Sequence, residues 1–189
     1  QTETPDRPTG QKDVLGLTAP KLDTVRVGFI GLGMRGPGAV RRFTHIPGTK
    51  IVALSDLSAD RVEKAQRILD SVGLSRAAEY SENKEAWKEL CERDDIDLVY
   101  IATDWKNHAS MMIYAMEQGK HVVCEVPAAM TLQEIWDVVN TAERTQKHCM
   151  QLENCVYDFF ELTTLNMAQK GLFGEILHAE GAYIHDLGE

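Results

Sequence analysis

Three glycines in the order Gly31-Leu32-Gly33-Met34-Arg35-Gly36, and a carboxylate twenty residues further on at Asp56, are the residues best placed to do chemistry. The first glycine of such a spacing permits a tight turn, and the second lets backbone approach a ligand closely. The third lets a helix pack against a strand. Backbone N–H groups in a turn that opens a helix, together with the helix dipole, attract phosphate oxygens. A carboxylate ending the next strand accepts hydrogen bonds from ribose hydroxyls, and its charge repels a 2′-phosphate. The constellation predicts dinucleotide binding through Gly31, Gly33, Gly36 and Asp56, with NAD favoured over NADP.

A glycine-rich turn carries this meaning only between a strand and a helix. Val25-Arg26-Val27-Gly28-Phe29-Ile30 is a short apolar run suited to a buried parallel strand, and a helical segment follows to about Phe43. Residues 50–55 read as a second strand closed by Asp56. Ser58 then caps a helix that places Val62, Ala65 and Leu69 on one face. A shorter helix is expected over 83–91 and a strand over 97–102. Met112, Ala115 and Met116 share a helical stripe that stops at Gly119. Residues 121–124 read as another buried strand. Thr131 and Glu134 form a capping box, with Leu132, Ile135, Trp136 and Val139 at helical spacing behind it. This alternation predicts the α/β class, a Rossmann doubly wound parallel sheet covered on both faces.

The expected domains follow from the same pattern. Residues 1–24, with Pro5, Pro8 and Pro20 and no periodicity, form an N-terminal arm, and residues 25–154 form the NAD-binding domain. From 155 to 189 a helix over 158–170 and a strand over 176–184 open an α+β second domain. These are too little to bury a core, so a truncated start of a substrate and oligomerisation domain is expected.

Composition narrows the partners. A formal net charge of -9 argues against nucleic acid or an anionic membrane. No apolar run approaches the roughly 20 residues of a membrane span. Cys91, Cys124, Cys149 and Cys155 show no CxxC spacing and read as buried thiols. His178, His185 and Asp186 lack anything to fix a third ligand, so no metal site is expected. The start at Gln1 suggests a cleaved signal peptide and a periplasmic or exported protein. A cut at that point in a cytoplasmic protein is the alternative.

The stretches VGFIGLGMRG, ALSDL, the Thr103-to-His108 loop, Cys124-Glu125-Val126-Pro127 and MTLQE resemble, in that order, the Gfo/Idh/MocA oxidoreductases from about Val25 onward. Most dehydrogenases of that superfamily carry Glu-Lys-Pro where this chain has Glu125-Val126-Pro127. The lysine helps deprotonate the substrate hydroxyl, and a valine transfers no proton. One branch normally lacks the lysine, the NAD-dependent glycosidases of glycoside hydrolase family 109. Trp105-x-x-His108, Glu125-Val126, Leu152-Glu153-Asn154, LNMAQKGLFGEILH and the segment from Gly181 to Asp186 are similar to that branch. Pro127-Ala128-Ala129 departs from the Ser-Gly expected there, which leaves the sugar open.

The resemblance implies NAD contacts at Met34, Arg35, Asp56, the Trp105–His108 loop with Trp105, Asn107 and His108, then Glu125, Val126 and Asn154. It also implies that Tyr183 faces a carbohydrate substrate such as an α-N-acetylgalactosaminide, in a protein that forms homo-oligomers at full length. The implied chemistry is hydride removal from C3 of the sugar, loss of the acidified C2 proton and departure of the glycosidic oxygen. Water then adds and the hydride returns. Two carboxylates flanking the bond are not required. The family's catalytic histidine is expected beyond Glu189, so no catalytic residue is assigned in this chain. Two rivals stand beside this reading: an NAD-dependent sugar or inositol oxidoreductase that releases NADH, and a non-catalytic cofactor-binding module. Taken by themselves, Trp105 could instead pack on a domain seam, His108 could be a helix-start polar residue, and Asn154 could be a turn residue.

Overall fold

The computed structural model describes residues 5–182 and 184. The chain divides into two compact units between Leu152 and Glu153. Among the described residues the first unit holds a parallel sheet of six strands: β1 (Val25–Ile30), β2 (Thr49–Ser55), β3 (Ala78–Tyr80), β4 (Leu98–Ile101), β5 (His121–Glu125) and β6 (Cys149–Leu152). They are joined through α1 (Gly36–Phe43), α2 (Ala59–Ser71), α3 (Ala86–Glu92), α4 (Trp105–Glu117) and α5 (Leu132–Thr145). The spatial order is 3-2-1-4-5-6, all neighbours parallel. This is the Rossmann arrangement, and the order reverses between β1 and β4, where such sheets bind their ligands.

Side chains alternate across a strand, so each strand feeds two cores. Val27, Phe29, Val40, Leu54, Leu69 and Tyr100 fill one side, while Ile30, Leu90, Val99, Met112, Val122 and Cys124 belong to the other. The predicted stripes of α2 and α4 are fully buried at Val62, Ala65, Leu69, Met112, Ala115 and Met116. The Thr131–Glu134 capping box is formed, and Gly119 ends α4 with φ of 78°. Ser58 stands at the N-cap of α2, but its side chain makes no capping bond. Its backbone N–H instead donates to Asp56 Oδ1 at 2.9 Å. Along α5, Leu132, Ile135 and Val139 are exposed, and Val138, Thr141 and Ala142 form the inward face.

Burial pushes the Cys91 thiol up to about 12 and the Cys149 thiol up to about 11, so both stay neutral at pH 7. Cys155 departs from the expectation of buried thiols: it lies exposed on the short stretch leading to α6. Among the described residues before Val25 there is no helix or strand, yet this arm is tied down. The Arg7 guanidinium donates to both carboxylate oxygens of Glu143 on α5, at 2.9 and 3.0 Å. The Gln11 amide donates to Asn140 and Glu143 at 3.1 and 2.8 Å, and Val14 packs against the core.

Asp97, just before β4, braces Arg26 on β1. It accepts from the guanidinium at 2.6 and 2.9 Å and from the Arg26 backbone N–H at 2.8 Å. The bonds from Arg26 hold the Asp97 carboxyl below the usual carboxylate range. A depressed folded pKa contributes stability above the unfolded value, and that contribution disappears as pH falls through the folded value. Asp97→Asn is therefore expected to lower the melting temperature by a few degrees at pH 7. The gap to wild type should close as pH drops below about 4 in circular-dichroism melts.

The second unit contributes α6 (Phe159–Gln169), within the helix expected over 158–170. Among the described residues the strand expected over 176–184 is not seen: residues 176–182 and 184 have no regular structure. A strand needs a ladder partner for its N–H and C=O groups, and the described residues of this unit supply none.

Candidate functional site

The carboxyl ends of β1 and β4 open into a cleft of about 970 Å³, walled by the glycine turn, the end of β2, the loop after β4 and the end of β5. Of the cofactor contacts predicted in the first unit, only Gly36 does not line it; Gly36 is buried beneath the turn.

The three glycines are required for different reasons. Gly31 has φ of 92°, and a Cβ there would stand 2.5 Å from the Ala102 carbonyl oxygen. At Gly36 a Cβ would stand 2.2 Å from the Gly31 carbonyl oxygen. Backbone packing forbids a side chain at both. Gly33 is different, because the nearest atom to a Cβ is Arg61 Nη1 at 3.7 Å. The protein itself leaves room for a side chain at 33, and that room lies on the cleft. In dinucleotide-binding sheets the glycine at this position is the one that lets a pyrophosphate approach the backbone.

Asp56 fixes the turn from below. Its Oδ2 accepts the Leu32 N–H at 2.7 Å, and its side chain is only 6% exposed. Two N–H groups thus occupy part of its acceptor capacity. A carboxylate has about four lone-pair sites, so acceptors remain for ribose hydroxyls. Arg61, in the first turn of α2, reaches Asp56 Oδ1 at 3.5 Å. It lines the cleft together with Lys84 and Lys88, cations that suit an anionic ligand. Sequence reasoning missed all three. Arg61, five residues after Asp56 at a helix start, carried a legible signal.

The loop after β4 is shaped by Asp104, which caps α4 through the Lys106 N–H at 3.1 Å and holds the Asn107 amide at 2.6 Å. Trp105 is 61% exposed on the cleft wall. His108 is 1% exposed, and its ring nitrogens face two backbone carbonyls, Pro127 at 2.8 Å and Thr103 at 3.2 Å. It therefore ties the loop after β4 to the loop after β5. Glu125 ends β5 and accepts the Tyr100 hydroxyl at 2.6 Å, with Val126 beside it in the wall. Met34 and Arg35 are exposed on the turn. Asn154 belongs to the second unit, where its amide donates to Cys155 Sγ at 3.3 Å. Tyr183 lies outside the described residues. Among the described residues no group of three or more His, Cys, Asp or Glu side chains could hold a metal ion, and no helix is long and apolar enough to cross a membrane.

Comparison with known proteins agrees with this geometry. Residues 25–152 match the family model described as an oxidoreductase family with an NAD-binding Rossmann fold. The chain is 74% identical over 187 residues to glycosyl hydrolase family 109 protein 1 of Bacteroides fragilis, covering 99% of this chain and 40% of that protein. It is 70% identical over 187 residues to a glycosyl hydrolase family 109 protein of Porphyromonas gingivalis, with the same coverage. The chain thus spans about 40% of the length of the curated relatives it matches. Among solved structures, myo-inositol 2-dehydrogenase from Lactobacillus plantarum superimposes with a TM-score of 0.68 at 25% identity, over 81% of this chain and 43% of that one. Scyllo-inositol dehydrogenase from Lactobacillus casei, solved with NAD(H) and scyllo-inositol, shares the fold with a TM-score of 0.71 at 20% identity, over 80% of this chain and 43% of that one. With its glycine turn, switch-point cleft and matched domain, the chain belongs to the Gfo/Idh/MocA oxidoreductase family and carries its NAD-binding Rossmann domain.

Proposed function

We propose that the full-length protein is an NAD-dependent glycosidase acting by transient oxidation at C3 of a sugar such as an α-N-acetylgalactosaminide. The observation that carries this is Val126, which stands next to Glu125 in the cleft wall where a dehydrogenase of the family would place a lysine. An apolar side chain there neither holds nor deprotonates a substrate hydroxyl. The family 109 name of relatives at 70 to 74% identity supports the same reading.

The glycine turn and the start of α1 would bind the pyrophosphate, Asp56 the adenosine ribose, and Trp105, Asn107, Glu125 and Val126 the remainder of the cofactor. Bound NAD would supply a hydride acceptor that later returns the hydride, so no net NADH leaves the site. Tyr183 would meet the sugar. An oxidised C3 acidifies the C2 proton, which permits elimination of the glycosidic oxygen and addition of water.

The test uses the full-length protein with bound cofactor, incubated with p-nitrophenyl α-N-acetylgalactosaminide and a panel of other aryl glycosides. Nitrophenol release and NADH absorbance are followed together. Release without net NADH is the expected outcome. NADH accumulation on free sugars with no nitrophenol would replace the glycosidase with a dehydrogenase.

A further inference from the structure

Tyr100 stands out because a buried hydroxyl beneath the cleft is aimed at one of its walls. In the sheet register Phe29 on β1 lies opposite Tyr100 on β4, and Tyr100 lies opposite Val123 on β5. These side chains share one face, and Glu125, two residues beyond Val123, shares it too. A diagonal neighbour of this kind lies within reach of a tyrosine. The hydroxyl donates to Glu125 Oε1 at 2.6 Å.

The ring cannot swing away. Tyr100 is 3% exposed, with Phe29 stacked at 4.9 Å and Phe43 edge-on at 5.7 Å. Burial, then the bond to Glu125, pushes the phenol pKa up, so the proton stays on the hydroxyl. The Arg42 guanidinium, near the end of α1, acts in the opposite direction on the phenol, and its effect is outweighed by burial and Glu125. The aromatic group therefore links the helix that starts at the glycine turn to the carboxylate at the end of β5.

Direction along the cleft gives this link a role. With the adenosine ribose at Asp56 on β2 and the pyrophosphate at β1, the rest of the dinucleotide must run over β4 toward β5, where Glu125 stands. We propose that Tyr100 is a positioning residue for Glu125, holding its carboxylate as a fixed acceptor for the nicotinamide-side half of NAD. The inference rests on the cleft being the cofactor site.

The experiment titrates NAD by calorimetry into the wild-type protein, Tyr100→Phe, Glu125→Gln and the double variant, with a thermal melt of each. Phenylalanine keeps the ring stack and removes only the hydroxyl. Tyr100→Phe is expected to weaken NAD binding about tenfold, as for a lost hydrogen bond to a charged group. Glu125→Gln should lose at least as much, and the double variant no more than Glu125→Gln alone. Non-additivity is the signature of one group acting through the other, and a purely structural tyrosine would not give it. Wild-type affinity in Tyr100→Phe, or losses that add in the double variant, would overturn the assignment while leaving the cofactor site intact. A wild-type protein that binds no NAD would overturn both together.

Discussion

Gly33→Ala is expected to weaken NAD binding by about a hundredfold while the melting temperature holds or rises slightly. The two effects separate because the nearest protein atom to a Cβ at this position is the end of a flexible arginine, 3.7 Å away. The backbone there lies outside the left-handed region, so alanine introduces no strain. Replacing glycine at such a position stabilises by roughly 0.4–1 kcal/mol, through a less entropic unfolded chain. The added methyl occupies the side of the turn that faces the cleft, and phosphate oxygens must approach the backbone from that side. Thermal melts and NAD titrations on the same preparation read both effects. Binding at wild-type strength would show that the pyrophosphate does not sit on this turn.

Gly36→Ala is expected to fail in the opposite way, through the fold. Its Cβ would meet the Gly31 carbonyl oxygen at 2.2 Å and the carbonyl carbon at 3.0 Å, both backbone atoms that cannot rotate aside. Gly31 is itself pinned, since a Cβ on it would stand 2.5 Å from the Ala102 carbonyl oxygen. Forced shifts of this kind in packed surroundings cost about 3 kcal/mol or more. For a unit of this size that corresponds to a fall of roughly 6–12 °C in melting temperature. Cofactor binding should weaken as a consequence, because the turn and the N-terminus of α1 move with the clash. An unchanged melting temperature would mean that helix and strand are not held together at Gly36.

The contrast between these glycines also marks how far the sequence could be read. Strand, turn, helix and strand from Val25 to Asp56 were legible because each has a local signature: an apolar run, a glycine spacing, a terminal carboxylate. The capping box at Thr131 and the buried stripes of α2 and α4 were legible for the same reason. β3 and β6 were not, since one has three residues and both lie at sheet edges with few fully buried side chains. Asp56 was legible as a carboxylate closing a strand, but its bond to the Leu32 N–H depends on how β1 and β2 pair. His108 joins Thr103 to Pro127, which lies nineteen residues beyond the histidine, and no spacing rule reports that. The Tyr100–Glu125 bond needs the β4–β5 register, which exists only in the folded sheet. Residues 176–182 misled because apolar content suggests a strand, whereas pairing requires a neighbour that the described residues do not supply.

The clasp between the arm and α5 has a consequence for the timing of synthesis. Arg7 and Glu143 are separated by 136 residues, so the arm leaves the ribosome long before its docking helix exists. At roughly 5–20 residues per second that delay is about 7–27 s. Closing so long a loop costs little more than closing a shorter one, since the entropy grows only with the logarithm of length. The constraint is therefore one of order. The β2 side of the sheet, with β3 and α2, can pair with β1 early. The arm stays undocked until α5 emerges and captures it through Glu143.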